Sequence, residues 1–174
     1  IQEYKTYFQE VAEYVQVIDG AENPVGVSKD FVNYLKSQGK IEEIDEFNKV
    51  YIPNDEKIIN VHITDHVGLL KHTKDLNTTK AAIDKWSGEA SYIRDFYGAC
   101  MIDVQQFNRD IVNPIRLKQG DVSPNLEDFK DTSSTQHNAD LVLGLFDPGR
   151  YKVESLTGHD LSKLQSPEDG AKLY

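Results

Sequence analysis

The stretch from Lys57 to Leu70, KIINVHITDHVGLL, constrains the fold of this chain more than any other. Ile58, Ile59, Val61 and Ile63 form a near-continuous β-branched run, the pattern of a strand covered on both faces in a parallel sheet. Asp65 stands where that strand should end. Open α/β sheets bind ligands outside the carboxyl ends of their strands, so a carboxylate there is placed to meet one. An acid just past a hydrophobic strand is the physical form of the residue that holds a nucleotide's magnesium ion through its water shell. Taken alone, the motif favours a plain strand-ending turn residue, because any parallel strand can end in Asp.

With 174 residues, 39% of them hydrophobic, the chain can bury one sizeable core, and a single domain is expected. No apolar run approaches the roughly 20 residues a membrane span needs. The first residues, IQEYKTYFQE, lack the apolar core of a signal peptide, so a soluble, intracellular protein without a membrane partner is expected. Cys100 is the single cysteine, which excludes an internal disulfide; at the head of an apolar run it reads as a buried structural thiol. A net charge of −10 argues against a surface that is wholly a nucleic-acid platform, while leaving binding through one or two loops open.

Along the chain, Tyr4, Phe8, Val11 and Val15 fall on helical spacing, and Val15 to Ile18 then reads as a short strand ended by Asp19 and Gly20. Ser28 is the expected N-cap of a helix with Phe31, Val32 and Leu35 facing the core and Gly39 closing it. Glu42, Glu43, Asp45 and Glu46 read as a solvated helix face. A polar loop with Lys71, His72 and Lys74 precedes a helix over about Thr78 to Tyr97, with the stripe Ile83, Trp86, Ala90, Ile93 and Phe96 or Tyr97, ended by Gly98. Ala99 to Val104 is the next strand, with Gln105, Gln106, Asn108 and Arg109 at its tip. A second loop, Asp110 to Pro124, carries Arg116 and Lys118, and DLVLGLF after Asn138 and Ala139 reads as a third buried strand. Alternating helices and buried strands predict an α/β fold with a mainly parallel sheet.

Three blocks in this order resemble the ATPase core of DnaB-like replicative helicases. HITDHVGLL sits where that family has its Walker B strand. QQFNRD resembles its strand-end segment with a Gln-x-Asn-Arg core, and LEDFKDTSSTQHNADLVLGLFDP resembles a turn followed by an Ala-Asp-headed apolar strand. The match runs from Val11 to Tyr151 and implies a RecA-like core, partial over residues 1–174. On this resemblance Asp65 is the Walker B acid acting through Mg2+, and Gln106 senses the γ-phosphate of ATP, with Arg109 beside it. The two loops would contact single-stranded DNA in the channel of a hexamer, with Lys71, Lys74, Arg116 and Lys118 on its phosphates. The resemblance further implies a primase or helicase loader as partner and a bacterial cytoplasm, or a host's for a phage-encoded protein. Departures at Gly68 and Gln105 point toward such a divergent lineage.

Other departures bear on activity. No GxxxxGKS or GxxxxGKT occurs, so the chain by itself has no loop to cradle phosphates, and the region carrying it would lie upstream of Ile1. The basic strand that reaches a neighbouring subunit's site has no clear counterpart before Ser166, leaving Arg150 and Lys152 as weak stand-ins. Against the motor stands a non-catalytic RecA-like scaffold, loader or inhibitor within a replication complex. Gln106 has the alternative of capping the strand end, and Arg109 that of a structural ion pair. His62, Asp65 and His66 would share a face only on a helix, which weighs against a zinc site.

Overall fold

The computed structural model describes residues 9, 11–20, 22–108, 111, 113–119, 123–147, 155–156 and 159–160. Helix α1, Pro24–Ser37, starts one turn earlier than Ser28 because Asn23 and Pro24 form a stronger start signal. The Asn23 side chain accepts the Gly26 N–H at 3.0 Å, and proline presets the backbone at the first helical position. Ser28 is instead buried inside the helix and donates to Glu89 Oε2 at 2.8 Å. Leu35 is fully buried and Phe31 and Val32 pack against the core, as their spacing predicts.

The expected acidic helix face is an antiparallel hairpin, β1 (Gly39–Glu43) with β2 (Lys49–Pro53). Asp45 forms its tip: one carboxylate oxygen accepts the N–H groups of Phe47 and Asn48, each at 2.9 Å, a local turn that competes with helix. Gly39 is needed where the strands meet, since a Cβ there would lie 2.5 Å from the Ile52 carbonyl oxygen.

The centre of the fold is a β–α–β unit. Strand β3, Val61–Asp65, leads through a polar loop to helix α2, Thr79–Tyr97, and on to β4, Cys100–Val104. The strands pair in parallel from Val61 beside Cys100 to Asp65 beside Val104. Thr78 caps α2 by accepting the Ala81 N–H at 3.1 Å, and Gly98, at φ +68°, ends it in the left-handed conformation that favours glycine. Ile83, Trp86, Ala90, Ile93 and Tyr97 of α2 are buried, so the predicted stripe is core. Val67, Leu70, Ala82, Ile83, Trp86 and Ala90 make one cluster; Leu35, Tyr51, Ile93, Tyr97 and Ala99 make the other, and Met101 packs on both.

Five further expectations are corrected. Strand β3 is shorter than the apolar run, with Ile58 and Ile59 exposed ahead of it, because it pairs only as far as β4 extends. The β3–β4 pair is covered by α2 on one face only; Val61, Ile63, Ile102 and Val104 are exposed on the other, and Cys100, expected as a buried thiol, is exposed with them. Val15 to Ile18 is exposed and has no regular structure. Residues 139–147 also form no strand, and Leu141, Leu143 and Leu145 are 73%, 77% and 90% exposed.

Short helices α3 (Pro114–Gln119) and α4 (Ser134–Asn138), 3-10 turns at Val67–Leu69 and Leu126–Asp128, and a two-residue hairpin, β5 (Ser155–Leu156) with β6 (His159–Asp160), are also described. The fold is therefore mixed α/β with two-stranded sheets, one of them parallel. Among the described residues no helix is long and apolar enough to cross a membrane.

Candidate functional site at the strand ends

Asp65 is the last residue of β3, exposed, and paired in register with Val104 at the end of β4. The peptide bond to His66 is cis. Side chains alternate along a strand, so Asp65 belongs with Val61 and Ile63 on the face away from α2. Gln105 and Gln106 follow β4 and divide the work of its tip. Gln105 points into the fold: its amide donates to the Lys130 carbonyl at 2.6 Å and its side-chain oxygen accepts from Thr135 Oγ1. Gln106 is exposed. Its main-chain carbonyl accepts the Lys130 N–H at 3.1 Å, which fixes the backbone and leaves the amide outward. Gln106, His66, Lys130 and Asp131 border a small cavity of about 30 Å³.

The segment that follows is tied to α2. Asp84 accepts the hydroxyls of Thr132 and Ser134 on one oxygen and the Lys80 ammonium, at 2.9 Å, on the other. Burial pushes the Asp84 carboxyl up, but these hydroxyls and Lys80 outweigh it and hold it below the usual carboxylate range. Trp86 Nε1–H donates to Asp103 at 2.8 Å, fixing β4 against α2. The sequence reading missed both anchors; the hydroxyl run Thr132, Ser133, Ser134 and Thr135 was the visible signal.

Among the proposed DNA contacts, Lys71 and Lys74 are exposed in the loop after β3. That loop is built by the Lys71 N–H donating to the Glu22 carbonyl at 2.9 Å and by the Thr73 N–H donating to the Leu76 carbonyl at 3.1 Å. Arg116 is held in an ion pair: both its terminal nitrogens reach the buried Asp128 carboxylate, and one also donates to the Ser123 carbonyl at 3.1 Å. Burial raises Asp128, yet Arg116 and the Asn125 N–H together hold it below the ordinary carboxylate range. Arg109, Arg150 and Lys152 lie outside the described residues, as does the side chain of Lys118.

His62 is separated from Asp65 by the strand's alternation, its ring 4.8 Å from Phe31 and 5.3 Å from Trp86. Among the described residues no group of three His, Cys, Asp or Glu side chains could hold a metal ion. A single exposed carboxylate does fit magnesium, which keeps most of its waters and takes one or two protein carboxylates beside phosphate. For the phosphates the chain offers no glycine-rich cradle.

The His62 environment gives a pH prediction. Burial holds its pKa below 6.5, with Asp103 pulling the other way. Because the folded value is depressed, the unfolded chain binds more protons between that value and 6.5. The stability is therefore complete above pH 6.5 and lost as pH falls through this window. Urea midpoints at steps from pH 7.5 to 5 are expected to fall in the wild type and to stay flatter in His62→Leu; parallel curves would contradict this assignment.

Compared with protein-family models, with curated proteins and with solved structures, the chain matches none.

Proposed function

We propose that this chain is part of the ATPase core of a ring-forming, DnaB-like replicative helicase, which couples ATP hydrolysis to movement along single-stranded DNA. One observation carries the reading: the parallel register that sets Asp65 beside Val104, so that Asp65 and Gln106 leave the carboxyl ends of neighbouring strands. Asp65 would hold magnesium through the ion's water shell, and the ion would supply neutralisation of the negative charge on the phosphates of ATP. The Gln106 amide can donate to a phosphate oxygen or accept from a water, so it distinguishes ATP from its product without changing charge. Its fixed backbone passes that difference to the segment from Lys130 to Thr135, to which Gln105 is bonded. Lys71 and Lys74, exposed just beyond β3, contact the DNA phosphates from each subunit of a hexamer.

A second reading, a RecA-like scaffold or loader, is favoured by the absence of a GxxxxGKS or GxxxxGKT from these 174 residues. Strand displacement from a forked duplex by the full-length protein that contains this chain separates the two. ATP-dependent unwinding is expected for the motor. A protein that neither binds ATP nor displaces a strand is the scaffold.

A further inference from the structure

The tip of the β1–β2 hairpin carries two large apolar side chains that stand in solvent: Phe47 is 86% exposed and Ile44 69%. The turn that presents them is closed by its own bonds. Asp45 accepts the Phe47 and Asn48 N–H groups, the Asn48 side chain donates to both Asp45 oxygens at 2.9 and 2.7 Å, and the Ile44 N–H donates to the Asn48 carbonyl at 2.9 Å. The Phe47 ring takes no part in these bonds. An exposed aromatic on a preorganised tip has little left to order when it binds, which lowers the cost of association.

Beyond the end of β4 the same chain has a hole. Phe107, Pro124, Leu126, Phe129, Val142 and Gly144 line most of a cavity of about 150 Å³. A cavity of about that volume lined by Leu, Ile and Phe takes up benzene, so this one suits a single benzyl ring. Its walls are fixed: Phe107 and Phe129 form a backbone bridge with their rings 5.7 Å apart, and the Asn108 N–H donates to the Asp128 carbonyl at 2.7 Å. Knob and hole lie at opposite ends of the β–α–β unit. Tyr51 of the hairpin packs on Tyr97 at the end of α2, ring to ring at 5.0 Å, whereas Thr132 and Ser134, just after Phe129, bond to Asp84 near its start. At 19 residues α2 is about 28 Å long, and the exposure of Phe47 means that it does not fill the hole of its own chain.

We infer that Phe47 of one copy seats between Phe107 and Phe129 of the next. A knob and a hole on different surfaces of one chain make a heterologous contact, which repeats head to tail and closes a ring where the rotation allows. The area favours a second copy over a separate partner. Two large apolar side chains bury on the order of 400 Å², about half of the roughly 800 Å² per partner that a stable pair needs. In a ring each copy uses both its knob and its hole, which doubles the area it buries. Leu141, Leu143 and Leu145, exposed on either side of Val142 and Gly144, extend the apolar rim. The contact is required by neither the motor nor the scaffold reading.

Photo-crosslinking of the full-length protein tests it, with para-azidophenylalanine in place of Phe47 and an equal mixture of light and isotope-labelled copies. Mass spectrometry is expected to find the probe of one copy joined to the peptides that contain Phe107 or Phe129 of the other. Gly144→Leu plugs the hole, since a Cβ there already meets Pro124 at 3.4 Å and Phe107 at 3.6 Å. It should lower the yield of that link at least about 10-fold. Absence of the link between copies, links confined to one copy, or links to another surface would overturn the contact, with or without the Gly144 variant. A ring that assembles and unwinds DNA without this link would overturn it too, and would leave the motor reading standing.

Discussion

Truncating Trp86 to alanine is expected to destabilise the fold by about 3–5 kcal/mol, the range for emptying a fully buried aromatic site. Trp86 is 0% exposed, lies among Val67, Leu70, Ile83 and Ala90, and is the only side chain that joins α2 to β4 by a hydrogen bond to Asp103 among those described. Its loss opens a cavity and removes the partner of a carboxylate in one step. Trp86→Phe keeps most of the volume and loses only the donor, so it should cost about 1–2 kcal/mol. Urea unfolding of both variants measures the difference. Equal, small effects would mean that the β–α–β unit is not the centre of stability.

Replacing Arg116 by alanine is expected to cost about 3–5 kcal/mol, because Asp128 would be left buried without its cation. The double variant Arg116→Ala, Asp128→Ala should recover part of the loss, since removing both charges removes the desolvation penalty. This separates a structural clamp from a phosphate contact. A DNA-binding arginine would leave the unfolding midpoint unchanged and weaken DNA binding, with a shallower salt dependence.

The sequence made some of this architecture readable and concealed the rest for identifiable reasons. Helix α2 was legible nearly to the residue, because its stripe recurs over several turns between Thr78, a good N-cap, and Gly98. The end of β3 at Asp65 was legible for a similar reason: a β-branched run stops on an acid. Helix α1 was misplaced at its start because Ser28 resembles a cap, whereas Asn23 and Pro24 act together. The hairpin was hidden by composition, since Glu42, Glu43, Asp45 and Glu46 suit an exposed helix as well as an exposed strand and tip. Periodicity reports how a segment is built to pack and leaves its partner unnamed. That is why Ile63, Ile102, Leu141, Leu143 and Leu145 read as buried strand residues yet stand exposed.

At the strand ends, Asp65 and Gln106 were both singled out in sequence as residues at strand tips, and the pairing of Asp65 with Val104 came from the register. The separate surroundings of Gln105 and Gln106 were beyond reach of the sequence, because a one-residue step decides which amide meets Lys130 and Thr135. Arg116 looked like any loop arginine; only the distant Asp128 gives it a structural task.

Single-turnover ATP hydrolysis by the full-length protein, with and without single-stranded DNA, tests the central claim most directly when Asp65→Ala and Gln106→Ala are measured beside the wild type. The wild type should turn over faster with DNA, Asp65→Ala should lose at least about 100-fold, and Gln106→Ala should hydrolyse at a rate that DNA no longer changes. Unaltered turnover in Asp65→Ala, or DNA stimulation that survives in Gln106→Ala, would contradict it.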